Sequence, residues 1–220
     1  MPEIIKEKCE DAWKESIKLI MRKGKDYNDG SRDFRQILNF NLEIKQPHED
    51  VEFPWKKLKD CNKWVYPDAQ EMRNIILAKK MNPGYSFTYG QRLFHFNEQI
   101  DQINDYIIPL LQKDSATRTG VVTLWNPVVD CANVKNPKPG LVMCTFKIVE
   151  NHMRVTCVIR NNDMFIGWPA TLFQINELQE YVSEKLNVKK GSLIFYSTTA
   201  HVYKENFEDV KSLLDINPPS

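Results

Sequence analysis

Arg160-Asn161-Asn162-Asp163-Met164-Phe165-Ile166-Gly167-Trp168-Pro169-Ala170-Thr171-Leu172-Phe173-Gln174-Ile175-Asn176-Glu177-Leu178-Gln179-Glu180-Tyr181 joins two kinds of chain. Its first four residues are polar and follow the apolar run Met153 to Ile159, so they read as a strand end that delivers an arginine, two amides and an acid to one place. After the Gly-Trp-Pro turn, Leu172, Phe173, Ile175, Leu178 and Tyr181 recur at helical spacing, which predicts a core helix. A strand feeding polar groups to the mouth of a site, with a helix behind it, sets the frame for everything else.

Working outward, Leu141 to Val149 and Met153 to Ile159 read as strands joined at Glu150-Asn151-His152, and Val121 to Trp125 as a short buried strand. Between Asn126 and Pro139 lies a loop with three prolines. Downstream, a last strand from Ser192 to Ser197 precedes a short helical tail. Upstream, Ile100, Ile103, Tyr106, Ile107 and Leu110 form the stripe of a helix over Asn97 to Leu111. A further helix spans Asp68 to Lys80, stopped by Asn82-Pro83-Gly84, and residues 45 to 68 read as an irregular connection. Ile37 to Ile44 alternates as a strand, Lys25 to Arg32 is a turn-rich surface loop, and Glu3 to Met21 has the spacing of an amphipathic first helix. Clustered strands with long helices between them predict a single α+β domain over residues 1–220, a large mixed β-sheet covered by helices.

The totals narrow the function. Thirty basic against twenty-nine acidic residues leave no global positive field, so a nucleic acid polymer is not an expected partner. An anion must instead be held by a few placed cations. The five cysteines, Cys9, Cys61, Cys131, Cys144 and Cys157, show neither paired spacing nor Cys-x-x-Cys, which argues against a disulfide framework and a zinc knuckle. His95 and His152 have no partner at metal spacing, so no metal is expected. No apolar run has the length of a signal segment or a membrane span, and the expected location is cytoplasmic.

Three separated places suit a phosphate: Lys25 or Arg32 in the early loop, Arg118 after the third helix, and Arg160. Arginine's planar fork grips phosphate oxygens in pairs, so a few converging arginines make a monophosphate clamp. His201 and Tyr203 lie two apart in an extended stretch and share a face, where both can exchange hydrogen bonds with a sugar hydroxyl.

In their joint order these pieces resemble the thymidylate synthase family, which includes the nucleotide hydroxymethylases. The matching segments are Tyr85 to Leu93, Thr117-Arg118 leading into Val121-Val122-Thr123-Leu124-Trp125-Asn126-Pro127, Pro139 to Phe146, Arg160 to Asp163 with Gly167 and Pro169, and His201-Val202-Tyr203. The resemblance covers residues 80 to 210 and reaches the first 45 only loosely. It implies a sheet face used for homodimerisation and a pyrimidine nucleoside monophosphate substrate. It also implies 5,10-methylenetetrahydrofolate as donor of a methyl or hydroxymethyl unit to C5. By the same resemblance Arg160 and Asn161 bind the phosphate, joined by Arg118 from the partner subunit and by Lys25 or Arg32. His201 and Tyr203 hold the ribose, Tyr89 assists proton removal from the base, and Asp163 faces the folate ring.

The departures are as informative. The family places a cysteine after a proline to attack C6, since C5 of an unsubstituted pyrimidine is otherwise a poor nucleophile. Here Pro139 is followed by Gly140, and Leu141 stands where a polar residue is usual. Thr171 occupies the place of the base-reading asparagine, and Thr119 that of a second arginine. Three readings of the missing thiol stand side by side. Another cysteine substitutes, Cys131 or Cys144; or the reaction or base has changed; or the nucleophile has been lost with the fold kept. Cys144 shares facing parity with Gly140 along an ideal strand, but at about 3.3 Å per residue it lies roughly 13 Å away. Either the chain is a C5 one-carbon transferase, or it is a diverged homologue that acts on another base or binds nucleotides without turnover.

Overall fold

A computed structural model describes residues 1–81, 84–132 and 137–214. The predicted stop at Asn82-Pro83 and the centre of the proline loop lie outside the described residues. Eight strands form one mixed sheet: β1 (Glu3–Lys6), β2 (Lys25–Asn28), β3 (Asp33–Ile44), β4 (Val121–Thr123), β5 (Leu141–Val149), β6 (His152–Ile159), β7 (Asn162–Asp163) and β8 (Lys189–Tyr203). The main order is β1-β3-β8-β6-β5-β4, with β2 on β3 and β7 on β8. β8 is central, antiparallel to β3 and parallel to β6 and β7.

Two helices cover one face. In α1 (Cys9–Lys23) the buried Cys9, Ala12, Trp13, Ser16, Ile17 and Ile20 fall on one stripe, with Glu10 and Asp11 in the first turn and Arg22 and Lys23 in the last, as the helix dipole favours. Its first amides are met by a distant acid, Asp50, which accepts from the backbone N–H of Cys9 at 2.7 Å and of Glu10 at 2.9 Å. In α7 (Gly167–Leu186), Trp168, Leu172, Ile175, Leu178 and Val182 are fully buried, and the helix ends on Asn187 in a left-handed conformation, φ 52°. The sheet's other face carries exposed Ile5, Leu38, Val121 and Val149.

Several boundaries differ from the expected ones. Glu3–Lys6 is not the start of a helix but a strand that pairs with Asn41 to Ile44, because tertiary pairing overrides weak local propensity. Lys25 to Asn28 is a strand of a hairpin with Asp33 to Gln36. The connection after β3 contains α2 (Phe53–Asp60), and α3 (Ala69–Ile76) is capped by the Asp68 carboxylate. The helix expected from Asn97 begins only at Gln102, as a π-helical turn to Ile107 continued by α5 (Ile108–Lys113); Asn97 and Glu98 have positive φ, which an α-helix excludes. The last strand runs from Lys189 through Tyr203, followed by α8 (Phe207–Leu213).

Candidate functional site

The site is made by a change of parity in β8. Leu193, Phe195 and Ser197 are buried on alternate positions, then Ala200 and Val202 continue the core. One step has been added between Ser197 and Ala200, so His201 and Tyr203 come to the opposite side. β3 shifts in the same place, between buried Ile37 and Phe40, around Asn39 at φ 54°. There Phe34 meets both rings edge-on, at 5.5 Å from His201 and 6.3 Å from Tyr203. β7 sets Asp163 beside His201 in register, and Asn162 is held by its amide donating to the Ser197 hydroxyl at 3.0 Å.

His201 is buried, 3% exposed, yet neither ring nitrogen has a hydrogen-bond partner among the described residues. Burial, then the Arg32 guanidinium, pushes its pKa down to about 4, so the ring is neutral at pH 7 with both nitrogens open. The Arg32 guanidinium carbon lies over the Tyr203 ring, 3.2 Å from its centroid, and Arg32 pairs with Glu205. Asp163 accepts from the amides of Phe165 at 3.0 Å and Ile166 at 3.3 Å; burial still raises its carboxyl above the ordinary range, against those amides and Arg32. Tyr66 joins them, its phenol pushed up to about 12 by burial and then by Asp163. Sequence reasoning missed Tyr66 because it lies in a stretch without periodicity.

The floor is formed by α4 (Tyr89–Phe94), which Thr88 caps by accepting from the Gln91 amide at 3.1 Å. Gly90 lets α4 close on α3: a Cβ there would lie 2.1 Å from the Ile75 carbonyl oxygen. The Tyr89 phenol accepts from the Leu141 amide at 3.4 Å and is within hydrogen-bond reach of Thr171; burial raises its pKa, opposed by these two contacts. Gly140 is at the same spot, where a Cβ would be 3.7 Å from the Tyr89 oxygen and 3.2 Å from the Asn161 carbonyl. Behind it opens a cavity of about 210 Å³ lined by Tyr66, Phe87, Tyr89, Gly167, Thr171 and Gln174, among others.

The expected residues therefore separate into groups. Tyr89, Gly140, Leu141, Asn161 and Thr171 meet at the floor, and Asp163, His201, Tyr203 and Arg32 at the other end. Lys25 is exposed on β2, in register with Gln36 and through it with His201, two strand spacings or roughly 10 Å from β8. Arg118 is exposed just before β4, three strands from β8 in the sheet order, roughly 14 Å. Arg160 is tied to the chain before Gly140: its Nε donates to the Pro139 carbonyl at 3.0 Å and one terminal nitrogen to that of Lys138 at 3.1 Å.

The thiols divide as sharply. A register shift between Leu141 and Met143 reverses the parity expected for Cys144, which shares the buried face with Leu141 rather than with Gly140. Cys144 is fully buried, its sulfur 3.6 Å from that of Cys157 on β6. Cys9 is buried as well, whereas Cys131 is exposed at the end of α6 (Pro127–Asp130). That helix is fixed by a buried pair, Arg92 to Asp130 at 2.7 Å, with the Asp130 carboxylate also accepting the Asn126 amide.

Comparison with known proteins adds a family to this geometry. The profile described as thymidylate synthase matches residues 48–220. A provisionally named thymidylate synthase of Methanosarcina acetivorans is 28% identical over 206 residues, 93% of this chain and 90% of its own length. One of Methanocaldococcus jannaschii is 25% identical over 91% of this chain and 90% of its own. The thymidylate synthase of Bacillus subtilis subsp. natto is 27% identical over 58% of this chain and 45% of its own.

Proposed function

Because the chain belongs to the thymidylate synthase family, we propose that it binds a pyrimidine nucleoside monophosphate along this cleft and modifies C5 with a one-carbon unit. His201 carries the reading: a buried, neutral imidazole with two open nitrogens, beside Tyr203, is built to meet a ligand's hydroxyl. Arg32 stands next to that pair and is the early-loop cation of this reading, with Arg160 and Asn161 reaching the phosphate from the Gly140 side. Arg118, far from β8, serves the site of a second copy, and the open sheet face with Ile5, Leu38 and Val121 is the surface on which a homodimer forms.

A folate cofactor suits the residues present. Asp163 is a buried carboxylate beside the aromatic ring of Tyr66, a match for the donor-rich edge and flat faces of a pterin. When bound, the folate supplies the one-carbon unit. With its pKa raised, Tyr89 stays a phenol: it accepts from the Leu141 amide and donates its own proton to Thr171, to a water or to the base. Attack at C6 is assigned to Cys131: Cys9, Cys144 and Cys157 are buried, Gly140 has no side chain, and the other exposed thiol, Cys61 at the end of α2, lines a separate hollow with Trp13 and Phe165.

Gly140 favours a second reading, in which the grip on the nucleotide is kept and turnover is not. One assay separates the two. Incubation with 5-tritiated dUMP, dCMP, UMP or CMP and methylenetetrahydrofolate releases tritium under the first reading, and Cys131→Ser stops it. No release from any substrate, together with a rise in melting temperature on adding the nucleotides, selects the second. Neither release nor a thermal shift defeats both.

A further inference from the structure

The cavity behind Tyr89 is bounded on the α7 side by Gly167, Ala170, Thr171 and Gln174. These are positions i, i+3, i+4 and i+7, a single helical stripe. Three of the four are small, and flat rings face them, among them Phe87 and Tyr89. Such a slot admits a planar heterocycle edge-first between a smooth helix face and an aromatic wall. The fourth residue of the stripe is the only one with an amide, and that amide makes no hydrogen bond to any described residue. By contrast, the Nε2 of Gln179 donates to the Met153 carbonyl at 2.8 Å, and that of Gln102 to the carbonyls of Arg92 and Thr123.

The groups of the cleft lie in a sequence. Arg32 and Tyr203 are at one end, then His201, which is in register with Asp163. Gly167 follows, its added Cβ 3.3 Å from the Asp163 Cβ; next come Thr171 with Tyr89, and Gln174 three residues and about 4.5 Å further along the helix. A nucleotide whose sugar meets His201 and Tyr203, with its phosphate between Arg32 and Arg160, presents its base to the last. The Thr171 hydroxyl donates back to the Gly167 carbonyl at 3.4 Å and lies in reach of Tyr89, and a single hydroxyl selects no base. An amide is different: its oxygen and nitrogen present an acceptor and a donor side by side, the complement of a pyrimidine's N3 and C4 edge.

We propose that Gln174 is the base-reading residue of this site, doing from one helical turn further on what the Thr171 hydroxyl does not. The inference rests on the nucleotide reading above and adds to it a residue that holds the base.

Calorimetric titration of UMP, CMP and ribose 5-phosphate into the full chain tests it. Wild type is expected to bind UMP and CMP each about tenfold more tightly than ribose 5-phosphate, since an amide with no protein partner turns either way to meet the N3 and C4 edge. Gln174→Leu, similar in size, is expected to weaken both nucleotides about tenfold while leaving ribose 5-phosphate affinity unchanged. A residue that only fills space loses nothing in this variant. Unchanged affinity for both nucleotides, or an equal loss for ribose 5-phosphate, overturns the assignment of Gln174 and leaves nucleotide binding standing. A wild type that binds none of the three ligands overturns the nucleotide reading and this one with it.

Discussion

The two ends of the cleft are built on different terms. Around His201, side chains are brought together and left with spare hydrogen-bonding capacity: two open imidazole nitrogens, a carboxylate raised by burial, a guanidinium stacked on Tyr203. Around Gly140 the groups are mutually satisfied. Arg160 is drawn to the Pro139 and Lys138 carbonyls, the Leu141 amide to Tyr89, and the two thiols of β5 and β6 face each other in the core. Unspent polarity costs stability in a folded chain, so where it persists a ligand is expected to use it. On the proposed reading, the sugar-holding end is the one left open to a ligand, and attack on the base must draw on a group from outside the floor.

The largest predicted effect is on the scaffold of the Gly140 end. Arg92→Ala leaves Asp130 charged and buried, and is expected to destabilise the fold by about 3–5 kcal/mol in urea unfolding. A loss below about 1 kcal/mol would show that α6 does not depend on this pair.

At the opposite end, His201 makes stability depend on pH. Its pKa is lowered on folding from 6.5 to about 4, so the unfolded chain takes up the proton first. The full contribution is present above 6.5 and is lost as pH falls to about 4, by about 3 kcal/mol for this group. His201→Gln is expected to flatten the curve in that window, and an unaltered curve would place the acid sensitivity elsewhere.

Arg32 and Lys25 sharpen the comparison further. Arg32→Ala is expected to weaken nucleoside monophosphate binding about tenfold or more, the worth of a charged hydrogen bond, and Lys25→Ala by less than about twofold. The reverse order would exchange the two residues' roles. Smallest in stability is Gly140→Cys. The Asn161 carbonyl must give by a few tenths of an ångström to admit a Cβ now 3.2 Å away, an expected change within about 1 kcal/mol. If the floor lacks only its nucleophile, tritium release rises above the parent's, and an inert variant would show that Leu141 and Thr171 have rebuilt the base pocket as well.

Elements with strong periodicity were legible in the chain. The α7 stripe and the β5–β6 hairpin stand where apolar spacing put them, because each buries a regular face. Tyr89 and Asp163 could be named from their motifs, yet their surroundings could not. Tyr66, Arg92 and Asp130 come from segments that carry no period and meet the site only through tertiary contacts. The reading of Glu3–Lys6 as helix failed because four residues have too little local preference to resist pairing with β3.

By itself the sequence determined the α+β class, the order of the polar motifs along the chain, and the absence of a side chain at position 140, since these follow from residue type and spacing alone. Only the tertiary structure decided between Arg32 and Lys25 as neighbours of His201, turned Cys144 away from Gly140, and brought Tyr66 and Phe87 to the cavity lined by Thr171 and Gln174. The physical reason is parity. One added residue in β5 or β8 reverses which side every later side chain faces, and such an irregularity is stabilised by neighbouring strands rather than by any signal in the residues themselves.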